Sequence, residues 1–356
     1  MGLFTKVFKY DDIDTTDVPQ GSDPQSGSST EYTVCTDFEM EEYGVGQYIL
    51  TKYIGFDEEN IEIPAVINGK PIAAIGEGLF AQNKVLRNVK LNEGIVAIKE
   101  NAFAESGVES VVLPNSLSEI GEAAFMKTPL KQVALPNGLA YIHERAFSWC
   151  QSLELLSFPE KVEYLGENCF ANCPIYPLQK LPETLRYLGG GTISRWLEPC
   201  ETLRLPEGLL FLGHAALIDL KCKTLILPAG IKRIESGAVI YSDTLEEIRF
   251  EPGCTAELIG IIHSCKNLKA VYIPDSITVL DEVFSQIEET TAVAYQYDRF
   301  GRHIYDENGL YAVNQERTYT TVRDTAGEEL VIYCQAGSAA MAFARKKGYK
   351  LAKWDI

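Results

Sequence analysis

The stretch VALPNGLAYIHERAFSWC, residues 133–150, decides the fold. It opens with alternating apolar and polar residues, as a strand packed on one face does. Pro136 then breaks the ladder and turns the chain. Leu139, Ile142, Ala146 and Phe147 follow at three- to four-residue spacing, which predicts a short helical or 3-10 segment. No single element accounts for all of this, so the question is whether the stretch recurs.

It does. VVLPNSLSEIGEAAF (111–125), LSFPEKVEYLGENCF (156–170) and LILPAGIKRIESGAV (225–239) align on it. The apolar residue ahead of the turn falls at Leu91, Leu113, Leu135, Phe158, Leu181, Leu205, Leu227, Phe250 and Ile273, spaced by 22 to 24 residues throughout. A looser copy, IEIPAVINGKPIAAIGEGLF (61–80), precedes them with an inserted NGKP turn. The template reads L-x-x-V-x-L-P-x-x-I-x-x-I-G-x-x-A-F-x-x-C. One such unit cannot bury its own apolar side, whereas stacked units can. Phe80, Phe103, Phe125, Phe147 and Phe170 occupy one slot in successive units and are expected to form an internal column. The slot continues as Ile193, Leu217 and Val239, with Phe returning near Phe284.

The repeated LP…IG…AF…C segments closely resemble the BspA-like (Treponema-type) leucine-rich repeat family over about 48–285 and again at the end. The resemblance implies an α/β repeat: a leucine-rich-repeat solenoid with a parallel concave β-sheet, short helical or 3-10 segments on the convex side, and capped ends. It also implies a bacterial surface or secreted protein engaged in adhesion to host proteins. The expected organisation is an acidic, partly flexible segment at 1–46, about ten coils over 47–285, an insertion at 286–328 and a capping strand-helix-strand at 329–356. In the insertion, RHIYDENGLYAV (302–313) reads as a hairpin around Asn308-Gly309. QYILTKYIGFDEENIEIP (47–64) reads as a strand pair at the N-terminal end. In the C-terminal unit Ser338 suits an N-cap and Gly348 a C-terminal cap.

Composition narrows function. The chain has 356 residues and a net charge of −18. Residues 1–47 hold ten Asp and Glu against two Lys, almost half of the total excess. Residues 11–30, rich in Pro, Gly and Ser, are expected to be flexible. Such an acidic chain repels phosphate backbones, which argues against nucleic acid as a partner. No run of 18 apolar residues exists, so no membrane insertion is expected. The first 20 residues lack the apolar core of a secretory signal, and Lys6 spoils the Met1-Gly2 myristoylation pattern. These features and nine cysteines in a long chain favour the cytoplasm; the resemblance favours the cell surface, with the leader removed. LPETL (181–185) mimics a sorting signal but is a repeat's Leu-Pro.

A catalytic constellation is not expected. Cys150, Cys173 and Cys265 end the AFxxC unit, Cys200 and Cys222 replace the first Leu, and Cys169 takes the Ala slot. All read as small buried hydrophobes, so no metal is assigned. His143, His214, His263 and His303 form no HExxH. GGGTIS (189–194) lacks the Gly-Lys-Ser/Thr of a phosphate loop, and no G-x-S-x-G appears. The expectation is therefore no catalytic residue and no cofactor. What remains is the outward side of the strand. One column there holds Lys90, Val112, Lys180, Arg204, Ile226, Arg249 and Tyr272; its neighbour holds Leu155 and Leu178. Apolar anchors beside cations suit a protein partner. The reading is a non-catalytic protein-binding scaffold. Its rivals are an envelope-associated structural protein without a specific ligand and an enzyme with its site near His303 in the insertion.

Overall fold

The structure, a computed structural model, describes residues 30–56, 58–131, 133–154, 158–173, 181–194, 199–289, 319–322 and 330–354. The expected flexible segment at 11–30, apart from its last residue, and the hairpin at 302–313 with His303 lie outside these. From Tyr32 onward the chain forms one compact unit, a parallel β-solenoid of about 11 turns.

Each coil has three sides. The first side carries the strand ahead of the Leu-Pro turn. Thr33–Val34, Asn60–Ile63, Asn88–Leu91 and Ser110–Val112 make a four-stranded parallel sheet. Further along, Cys200–Arg204, Cys222–Leu227, Glu247–Phe250, Ala270–Tyr272, Val331–Cys334 and Lys350–Lys353 make a six-stranded one. Inward residues such as Val89, Leu225 and Ile248 are fully buried. The proline then turns the corner: the Pro114, Pro136 and Pro182 carbonyls accept the N–H three residues on, at 3.0 to 3.1 Å.

The second side is an eleven-stranded sheet, and here the structure departs from the expected helical segment. After the proline turn the chain makes a two-residue strand, as at Tyr141–Ile142 and Tyr164–Leu165, paired in parallel with the coils before and after. Among the described residues the one helix is Ala339–Lys347. The three- to four-residue apolar spacing arises because the chain turns a corner between successive inward residues, not because it winds. The template glycine follows that strand because coils approach closely there: a Cβ on Gly166 would lie 2.4 Å from the Glu144 nitrogen.

The third side differs along the chain. From Phe80 to Phe170 it is a run of turns, in which alternate N–H groups reach the next coil: Asn101 to the Glu122 carbonyl, Phe103 to Ala124 and Glu105 to Met126, each at 2.8 Å. The residue ahead of Ala-Phe is held at positive φ, as at Asn101 (55°), Ala123 (52°) and Arg145 (55°). From Ile193 the same side becomes short strands, Leu217–Ile218, Val239–Ile240 and Ile262–His263. The phenylalanine column forms as expected. Its buried rings stack at 5.3, 5.1, 5.3 and 5.1 Å with interplanar angles of 13° or less. Leu217, Val239, Ile262 and Phe284 continue the slot in register.

The ends also refine the reading. Asn60–Ile63 and Gln47–Tyr53 are both strands but not a pair. The first joins the first side, while the second pairs antiparallel with Phe38–Gly44 and parallel with Lys70–Ile75. The NGKP insertion is a hairpin turn, with Asn68 and Gly69 both at positive φ. At the C-terminal end Ser338 Oγ accepts the Met341 N–H at 3.2 Å, and Gly348 closes the helix in the left-handed conformation at φ 80°.

Candidate protein-binding face

The register of the first side aligns the outward residues as the spacing implied. Glu62, Lys90 and Val112 are neighbours in one sheet; Arg204, Ile226, Arg249 and Tyr272 are neighbours in the other. Leu155, Leu178 and Lys180 lie outside the described residues. Val112 is 47% exposed and Ile226 is half-buried.

The cations are not free. Lys90 Nζ lies 3.1 Å from Glu62, which also accepts the Asn92 amide at 2.8 Å. That amide, and then Lys90, hold the Glu62 carboxyl below the usual carboxylate range. Arg204 pairs with Glu207 at 3.1 Å and with Glu251 two coils on; Arg249 pairs with Glu247. The column is thus close to neutral: its basic character in sequence is offset by Glu62 in the same slot and by Glu207, Glu247 and Glu251 from other slots. Exposed pairs of this kind contribute about 0–1 kcal/mol each. They position side chains more than they attract an acidic ligand.

What the column builds instead is an aromatic end. The Arg249 guanidinium sits 4.4 Å from the centre of the Tyr272 ring. Tyr333 stacks on Tyr272 at 4.3 Å and 14°, and Trp354 meets Tyr272 edge-on at 5.4 Å. Tyr333 is the register partner of Tyr272, so the capping strand extends the face. Tyr333 and Trp354 were missed because the insertion interrupts the period; the signal was VYI (271–273) echoed in IYC (332–334).

A second ladder was also passed over. Tyr141, Tyr164, Tyr187 and Phe211 are register partners on the second side. Tyr164 stacks on Tyr187, and Tyr187 on Phe211, each at 4.3 Å. Burial, then the nearby Glu167 and Glu144 carboxylates, push the Tyr187 hydroxyl up to about 12. Tyr164 is raised by burial and by its bond to Glu144 Oε1 at 2.5 Å. Stacked face to face, these rings present mainly edges.

The cysteines are all free thiols. Cys150, Cys169, Cys222 and Cys265 are buried, but Cys173 is half-buried and Cys200, on the edge strand of the six-stranded sheet, is exposed. Burial raises the Cys169 thiol. Among the described residues no three His, Cys, Asp or Glu side chains converge on a metal position, and no helix is long and apolar enough to cross a membrane. His143 lies 3.5 Å from Glu119, His214 Nδ1 lies 2.6 Å from the Ser236 carbonyl, and His263 meets the Gly260 carbonyl; no two of them share a partner.

Solved structures similar to the chain cover 67 to 90% of it. A leucine-rich repeat protein of Bacteroides ovatus is 21% identical over 71% of this chain and 78% of its own, with a TM-score of 0.43. The T. pallidum leucine-rich repeat protein is 20% identical over 67% and 91%, at 0.38, and the pneumococcal vaccine antigen PcpA 14% identical over 90% and 97%, at 0.38. No curated protein sequence matches the chain. The family model for the BspA type leucine-rich repeat region matches residues 73–195 and 179–291, in six copies. With that match over more than half of its length, the chain belongs to the BspA-type leucine-rich repeat family.

Proposed function

We propose that this chain is a non-catalytic scaffold of the adhesion type that docks a protein on its first side. The repeat array over 47–285 serves as the platform, and the terminal unit over 329–356 completes its face. The observation that carries the reading is the Arg249–Tyr272–Tyr333–Trp354 cluster at one end of the outward column. Tyr, Trp and Arg are the residues most enriched among those that dominate binding energy at protein interfaces. The column running from it, through Ile226 and Arg204, supplies a flat surface of mixed polarity. From Cys200 to Lys353 the first side is a sheet of paired strands, so a partner at the aromatic end meets a rigid surface and loses little to ordering it.

Immobilised protein challenged with a panel of purified matrix proteins tests this. Trp354→Ala and Tyr333→Ala, each checked for an unchanged melting profile, serve as the variants. A partner held by the parent and weakened at least tenfold by either variant supports the reading. Equal retention by all three sinks it in favour of another surface. A purely structural role in the envelope predicts no saturable partner.

A further inference from the structure

A different corner of the solenoid carries a second kind of site. Where the third side passes the chain to the next coil's first side, four successive coils line an open depression with Lys84, Arg87, Lys127, Trp149, Gln151 and Ser152. No Asp or Glu is among the lining residues. Carboxylates stand around it: Glu105 lies 3.1 Å from Lys127 Nζ, Glu109 takes Arg87 at 3.5 Å and Lys131 at 2.6 Å, and Glu154 follows Ser152 by two residues, its N–H donating to the Lys131 carbonyl at 2.7 Å. Lys84 Nζ donates to the Glu105 carbonyl, and among the described residues no carboxylate pairs with it. Three cations thus line the depression with no carboxylate among its lining residues, a local positive surplus on a chain of net charge −18.

Trp149 is the second observation. It is 47% exposed at φ 63°, in the slot that other coils fill with Gln82, Glu105, Lys127 and Asn172. A non-glycine residue there costs roughly 1–2 kcal/mol relative to right-handed backbone. The fold imposes that conformation, but nothing in the packing asks for an indole: among the described residues the ring stacks on no other aromatic. Beside it Gln151 and Ser152 are exposed, and their side chains make no hydrogen bond among the described residues.

A flat apolar ring, neutral donors and acceptors beside it and surplus cations around it match one chemistry. A sugar presents a C–H face to stack on the indole, hydroxyls for Gln151 and Ser152, and, when it carries sulfate or uronate, anions for the lysines. A peptide would need apolar pockets for its anchors, and besides Trp149 the depression offers only Pro129. We propose that this corner binds an anionic saccharide, with Trp149 stacked on a sugar ring and Lys84 and Lys127 on its acidic groups.

Titration calorimetry of the full chain at low ionic strength, about 0.05 M, where screening is weak, tests it. The probes are a sulfated heparin-type tetrasaccharide, a neutral chitin tetrasaccharide and hexaglutamate. The sulfated sugar is expected to bind, at least tenfold more tightly than either of the others and more weakly as salt rises. Trp149→Asn removes the ring yet suits the left-handed slot, as Asn172 does, so affinity should fall at least tenfold while the melting temperature holds or rises. Trp149→Phe should keep most of the affinity. Lys84→Gln with Lys127→Asn should weaken binding and flatten its salt dependence. No binding of the sulfated sugar, equal binding of hexaglutamate, or full affinity in Trp149→Asn would each overturn the proposal. None of these variants touches the first side, so either reading can fail alone.

Discussion

The coils that carry Phe103, Phe125 and Phe147 and those that carry Leu217, Val239 and Ile262 fill one slot of one repeat in two ways. Between coils the hydrogen bonds are alike: Phe103 N–H reaches Ala124 and Glu105 reaches Met126, as Leu217 reaches Ala238 and Asp219 reaches Ile240. The difference is local. In the phenylalanine coils the following N–H bonds back three residues, Ala104 to Asn101 and Met126 to Ala123 at 3.0 Å, closing a tight turn. In the aliphatic coils that residue is Ile218 or Ile240, and the segment is a strand. β-branched residues favour the extended backbone, while Ala and Met tolerate the turn. Inter-coil pairing sets the architecture, and the third side takes whichever local form its side chains prefer.

The largest test of that contrast is Phe125→Ala. Its ring stacks at 5.1 and 5.3 Å on both neighbours, so the cavity cannot close from either side. The expected loss is about 3–5 kcal/mol, read by denaturant unfolding. Because coil stability is nearly additive with nearest-neighbour terms, hydrogen exchange should rise first at the amides of coils 103–147 and later at those of coils 217–262. Uniform exchange along the chain would show that the two regions unfold as one. The reverse change, Val239→Phe, overpacks a slot flanked by Leu217 and Ile262 and should cost about 1–3 kcal/mol. A neutral result would mean that the aliphatic coils have room for a ring, and that the phenylalanine column is a matter of composition rather than of space.

These coils also show what the sequence makes legible. The period and the phenylalanine column were readable because the same residue type returns at a fixed interval. The turn run was not, because Leu139, Ile142, Ala146 and Phe147 have the same spacing whether a helix winds or a chain turns corners. On the binding face, Arg249 and Tyr272 follow from the template. Their neighbours Tyr333 and Trp354 lie beyond the break at 286–328, where counting fails. The ion pairs were hidden for another reason: Glu207 and Glu251 sit in the turn after the strand, and Arg204 reaches Glu251 across two coils. Separation in sequence gives no measure of that reach.

A smaller effect separates the regions by backbone. The slot ahead of the third side's inward residue is left-handed in both, filled by Asn101, Ala123 and Arg145 in one region and by Ala215, Gly237 and Gly260 in the other. Ala215→Gly should stabilise by about 0.4–1 kcal/mol, since alanine at φ 53° is strained where glycine is not. Gly237→Ala in the next coil should destabilise by more than that gain, because its Cβ would also lie 2.9 Å from the His214 ring. Thermal melts of the two single variants decide the point; shifts of equal sign would remove backbone strain as the cause.

The smallest effect is electrostatic and has opposite signs at two glutamates. The Asn92 amide and Lys90 hold the Glu62 carboxyl below its ordinary value near 4.3. The folded state therefore binds fewer protons there than the unfolded chain does. Its stabilisation, of the order of 0.2–1 kcal/mol for so exposed a pair, is present above the unfolded value and lost as pH falls through the folded one. Glu167 is raised, first by the loss of water around its carboxyl and then by Glu235 and Glu144, although the residue as a whole stays exposed. There the folded state binds more protons, so stability is lost as pH rises from the unfolded value through the folded one. Glu62→Gln should lower stability at pH 7 and converge with the parent once pH falls below the folded value. Glu167→Gln should raise stability at pH 7 and converge with the parent in acid. Unfolding midpoints of the two variants across pH 3–8 must therefore move to opposite sides of the parent at neutral pH; if they move together, the local environments of these carboxylates are not what sets the pH response of the coils.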